Sequence, residues 1–81
     1  MREQDPMQAA QAVKRTAMLL RDARAVLRRV DVLAAQALAT EDPALPEIAA
    51  LRDAANRLVA QLVHREQAEQ RRARDAVRRF R

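Results

Sequence analysis

Glu41-Asp42-Pro43-Ala44-Leu45-Pro46-Glu47 is the one clear break in this chain. Residues 7–42 and 47–81 contain no Pro, and Gly is absent throughout. A chain without Gly has few places to turn. The sequence therefore predicts a single reversal, at Asp42-Pro43, between two long helices. The expected fold is all-α: an antiparallel, coiled-coil-like hairpin with helices over about 6–39 and 44–79 and a turn at 40–46. One hairpin is expected to account for all of residues 1–81, with a basic C-terminal segment over 64–81.

Outward from the turn towards the N-terminus, the apolar residues follow a helical period. Val13, Leu20, Leu27 and Ala34 recur at sevens, with Ala23, Val30 and Ala37 between them. Leu19, Val26 and Leu33 widen this stripe on one side, and Arg21, Arg24, Arg28 and Asp31 fall opposite. This is the pattern of an amphipathic helix with a broad seam. Asp5 can cap its start, Pro6 suits the first helical position, and Gln8 stands at capping-box spacing from Asp5. Pro43 is expected to end the helix, because it lacks a backbone donor and disfavours helical geometry at Asp42. Asp42 can then cap the second helix, where Glu47 suits the positive end.

The second helix begins with Ile48, Leu51, Ala55, Leu58 and Leu62, which read as its seam, and Val59 and Val63 stand beside them. From His64 to Arg72 no large apolar residue occurs, and Arg65, Glu69 and Arg72 continue the seam. Apolar character returns at Ala73, Val77 and Phe80 on a rotated face. Pairing about residue 43 sets Leu33 opposite Leu51 and Leu27 opposite Leu58. It leaves Leu20 facing Arg65 and Val13 facing Arg72. Leu20, Leu27, Val30, Leu51, Leu58 and Leu62 are thus the expected interior, confined to the half near the turn.

Half a seam buries too little to offset chain entropy of roughly 1–2 kcal/mol per ordered residue. Leu19, Val26, Leu33, Val59, Val63, Val77 and Phe80 are then surfaces that call for cover. The expectation is a homo-oligomer or a heterologous helical partner that completes the hairpin.

Charge sharpens the picture. Residues 1–30 carry a balance of +4, residues 31–63 of −3 and residues 64–81 of +4. A hairpin brings the first and last segments to one open end, opposite an acidic turn. Such a bipolar rod can stack head to tail or present its open end to an acidic partner. Lys14 is the only Lys beside fifteen Arg, which fits a GC-rich genome or selection for bidentate phosphate and carboxylate contacts.

Catalysis finds no support in this sequence. There is no Cys and no Ser, and His64 is the only His. Thr16 and Thr40 have no base placed to activate them. There is no Gly-rich phosphate loop, and one His near Glu66 and Glu69 is a poor ligand set. No metal, cofactor or catalytic residue is expected. No apolar run reaches the about 18 residues of a membrane span. Residues 1–6 lack the apolar core of a secretory signal. A cytoplasmic protein is the expectation.

The basic segment Arg71-Arg72-Ala73-Arg74-Asp75-Ala76-Val77-Arg78-Arg79-Phe80-Arg81 admits three readings. Arg71, Arg72, Arg74, Arg78 and Arg79 can contact nucleic-acid phosphates, although no aromatic residues are present for base stacking. The segment can lie on an anionic membrane, against which the thin face of Val77 and Phe80 argues. Or Val77 and Phe80 pack on a neighbouring chain while the Arg residues pair with an acidic partner.

Asp42-Pro43-Ala44-Leu45 resembles the turn motif of type III secretion needle subunits, and the ending Phe80-Arg81 resembles their C-terminus at a similar distance. Leu20-Arg21-Asp22-Ala23-Arg24, with the Asp-Pro turn and a Leu/Val-rich second helix, is similar to the small hairpin co-chaperones of the same system. The first resemblance implies a polymerising subunit with Val77 and Phe80 as contacts, exported without a cleaved signal. The second implies a hairpin whose apolar face is covered by a client. The chain departs from needle subunits in lacking an N-terminal Trp and in its Arg-rich 64–72 segment. The residues thus favour a non-catalytic helix–helix interaction protein. The alternative is a small basic nucleic-acid-associated protein that uses the open end.

Overall fold

The computed structural model describes residues 5–79, which form two helices, α1 (Pro6–Ala39) and α2 (Leu45–Arg79), packed antiparallel. The molecule is a rod of 60 × 19 × 13 Å. Asp5 caps α1 by accepting the Met7 N–H at 2.9 Å, with Pro6 as the first helical residue.

α1 ends where expected, but the closure that ends it lies ahead of Pro43. The helix finishes at Ala39, ahead of the reach of Pro43. Thr40 follows, and Glu41 takes a left-handed conformation with φ of 51°. The Asp42 N–H then bonds the Ala37 carbonyl at 2.9 Å, and the Glu41 N–H bonds the Leu38 carbonyl at 3.2 Å. These two bonds form a Schellman closure, for which Gly is the usual left-handed residue. Here Glu41 fills that position, at a steric cost of roughly 1–2 kcal/mol. The Thr40 hydroxyl adds a bond to the Gln36 carbonyl at 2.9 Å. On the far side of the turn, Asp42 Oδ1 accepts the Ala44 N–H at 2.8 Å and leads the chain into α2.

The seam of α1 follows the predicted heptads. Ala9, Thr16, Leu20, Ala23, Val30, Ala34 and Ala37 are buried, with Val13 and Leu27 half-buried between them. That order alternates steps of three and four, which keeps one line of residues facing a partner helix.

The seam of α2 departs from the expected one. Leu45, Ile48, Ala55, Val59, Leu62, Glu66, Glu69, Ala73 and Ala76 are its buried or half-buried members. Leu51 and Leu58, expected inside, lie outside at about half their full exposure. Val59 and Val63, expected on an uncovered face, pack instead against the cluster of Leu20, Ala23 and Leu62.

The reason lies in the outer half of the helix. A seam through Leu51 and Leu58 continues at sevens to Arg65 and Arg72. Burying two guanidiniums costs several kcal/mol each. Leaving two leucines half exposed forfeits roughly half of about 1.5–3 kcal/mol apiece. The helix therefore turns its Leu51–Leu58–Arg65–Arg72 line out of the contact. Arg52 does fall on the observed seam near the turn, where it stays exposed and stands 3.9 Å from Asp31.

The resulting core is thin. Among the described residues, Ala9, Ala23, Ala34, Ala37, Ala55 and Ala76 outnumber Leu20, Val30 and Leu62 in the buried apolar set. An alanine methyl brings only about 0.8 kcal/mol on burial, against a backbone ordering cost of roughly 1–2 kcal/mol per residue. The seam sets the register but contributes little surplus.

Candidate interaction surface

Outside the seam, two lines of large apolar residues run side by side. Leu19, Val26 and Leu33 recur at sevens along α1, and Leu51 and Leu58 do so along α2. Their exposures fall between 43% and 54%. Each line immediately flanks its seam, one residue before a seam position. In an antiparallel pair, residues with the same flanking position meet on the same side of the rod. The opposite flank shows this pairing directly, because Ala10 of α1 and Gln70 of α2 line one open concavity with Val13 and Ala73. Leu19, Val26, Leu33, Leu51 and Leu58 therefore share the other face.

The register is pinned by two cross-helix links. Asp31 lies beside Arg52 near the turn. In the outer half, the Thr16 hydroxyl donates to Glu69 Oε1. These levels bring Leu33 beside Leu51, Val26 beside Leu58 and Leu19 beside Arg65. The face thus passes from apolar near the turn to cationic towards the open end, through Arg65 and Arg72 on the same line of α2.

Arg65 belongs to a small polar cluster at the boundary. Its Nε lies 3.3 Å from Thr16 Oγ1 and 3.7 Å from Glu69 Oε1. Thr16 and Glu69 are both buried. An unpaired carboxylate at such a site would be costly, so the hydroxyl and the guanidinium together make Glu69 tolerable there. The sequence places Glu69 on the seam, but its Thr16 partner is not evident from spacing alone.

The remaining expected contacts are dispersed. Val77 is exposed, in a concavity lined by Ala73, Arg74 and Arg78 on the other flank. It therefore does not join the Leu19–Val26–Leu33 face. Phe80 lies outside the described residues. Arg71, Arg72, Arg74, Arg78 and Arg79 are all exposed. At 3.6 residues per turn they spread over three lines of α2. Met18 and Val32 are exposed on the outer side of α1, away from α2.

Leu51 and Leu58 are the surface residues that the sequence reading assigned to the interior. Their signal was present in the continuation of their line to Arg65 and Arg72, since a line that ends in guanidiniums makes a poor seam.

Among the described residues, no group of His, Cys, Asp or Glu is arranged to hold a metal ion. No helix among them is long and apolar enough to cross a membrane. No protein-family model, curated protein or solved structure matches the chain.

Proposed function

We propose that the protein is a non-catalytic helix–helix interaction module whose Leu19–Val26–Leu33 and Leu51–Leu58 face is covered by further helices. The observation that carries this reading is the alignment of five large, half-exposed apolar side chains on one side of a thin two-helix rod. The size of the surface supports it. The chain exposes 6536 Å², whereas a compact protein of its mass exposes about 4900 Å². The excess, about 1600 Å², is about twice the roughly 800 Å² that one partner contributes to an ordinary protein–protein interface. The resemblance to secretion needle subunits and their co-chaperones supports the same use of an apolar face, as a subunit contact or as a seat for a client. The basic open end offers a nucleic-acid reading, which the lack of aromatic residues for base stacking disfavours.

The stability of the chain at high dilution tests this function. An uncovered module should be only partly helical below micromolar concentration and should unfold at low temperature. Val26→Asp with Leu58→Asp should leave that dilute state unchanged and abolish gains on association. A dilute chain that is fully helical, with a high and concentration-independent unfolding midpoint, would overturn the reading.

A further inference from the structure

Resting on that reading, we propose that the occupant of the apolar face is a second copy of this chain. It lies antiparallel to the first, with Val26 and Leu58 at the centre of the contact. The face has the symmetry that such a pairing needs. Leu19 and Leu33 stand seven residues to either side of Val26, about 10 Å each way along the axis. Leu51 and Arg65 stand equally about Leu58. Two copies related by a two-fold axis across the rod set α1 on α1 and α2 on α2. Val26 then meets Val26 and Leu58 meets Leu58. Leu19 meets Leu33, and Leu51 lies along the aliphatic stem of Arg65.

Charge selects this direction over the parallel one. Glu47 lies eleven residues before Leu58, so in the antiparallel pair it falls between Arg65 and Arg72 of the second copy. The acidic turn, in a segment of balance −3, thereby meets the basic segment of balance +4, twice in each dimer. A parallel pair would stack the basic open ends on each other and the acidic turns on each other. Like-charge juxtaposition of that kind opposes association. The apolar overlap is much the same in both, so electrostatics decides the direction.

The chain has no Cys among its residues, so single introduced thiols report the geometry. Val26→Cys alone, and Leu58→Cys alone, should oxidise rapidly to covalent dimers. Leu19→Cys mixed with Leu33→Cys should give a mixed dimer in preference to either self-dimer. Light scattering during size exclusion should give about 18 kDa, twice the chain mass of 9.2 kDa. Glu47→Arg should weaken the dimer at least tenfold, and Arg72→Glu in the same chain should restore much of it. Linkage of Val26→Cys only to Leu58→Cys would show a parallel pair and overturn the proposal. A mass rising past the dimer without self-linkage at Val26 would overturn it too. A monomer at every concentration would also overturn it. If that monomer is only partly helical when dilute, the interaction reading stands with a heterologous helix as occupant. If it is fully helical and stable, both fail.

Discussion

The Thr16 hydroxyl donates to the Glu69 carboxylate across the outer half of the hairpin, where α2 has no large apolar residue in its seam. The two residues are 53 apart in sequence, and each is buried. Together they hold α2 against α1 beyond the point where leucine contacts end.

Removing one member of that pair should be worse than removing both. Thr16→Val leaves the Glu69 carboxylate buried with Arg65 as its remaining partner, and should cost about 1–3 kcal/mol. Thr16→Val with Glu69→Leu should recover most of that loss, because a buried polar pair replaced by apolar residues is often neutral or better. Denaturant unfolding of the two singles and the double, at one fixed chain concentration, gives the coupling energy. Additive losses would contradict this account.

Leu62 and Leu58 are four residues apart and should respond oppositely. Leu62 is buried in the cluster with Leu20 and Ala23, so Leu62→Ala should cost about 2–5 kcal/mol and leave the hairpin largely unfolded. Leu58 is half exposed, so Leu58→Ala should barely change the unfolding of a dilute chain. It should weaken association instead. Circular dichroism and light scattering on the same two variants separate these effects. Equal loss of helicity in both would place Leu58 back in the seam.

Glu41→Gly should stabilise the turn. Glu41 holds a φ of 51° that a side chain disfavours, and Gly takes it without steric cost. Glycine's extra freedom in the unfolded chain offsets part of the gain, which leaves about 0.5–1 kcal/mol. For a domain of this size that raises the thermal midpoint by several degrees. An unchanged or lower midpoint would mean that the left-handed residue is not a source of strain.

Asp42→Ala should cost about 1 kcal/mol through loss of the bond from the Ala44 N–H. Asp42→Asn keeps an accepting oxygen and should lose much less. Thermal unfolding of the two variants distinguishes the cap from a charge effect of the acidic turn.

The fold was legible because its determinants are local. Two segments without Pro or Gly, a Pro-bearing turn, and heptads from Val13 to Ala37 leave few alternatives to a hairpin. The seam of α2 was less legible, because two interleaved heptads both contain Ile48, Ala55 and Leu62. The nearer half of the helix favours the one with Leu51 and Leu58. The choice is made in the farther half, where that line carries Arg65 and Arg72. The exposure of Leu19, Val26 and Leu33 is legible in their heptad beside the α1 seam, whereas Leu51 and Leu58 read as interior. The end of α1 at Ala39 is legible, but the closure that makes it is not, since a Schellman closure without Gly leaves no mark in residue type.

The alanines of the seam have one further effect. Small residues let two helices approach closely, which keeps the rod only 19 Å across the pair. The Leu19–Val26–Leu33 row and the Leu51–Leu58 row then stand side by side as a single ledge. That ledge exists only while the hairpin is shut. Whatever settles on it acts as a clasp, and its affinity adds to the closing of the fold by mass action. Concentration thereby becomes a control on shape: the protein would be loose where its companion is scarce and rigid where it is abundant.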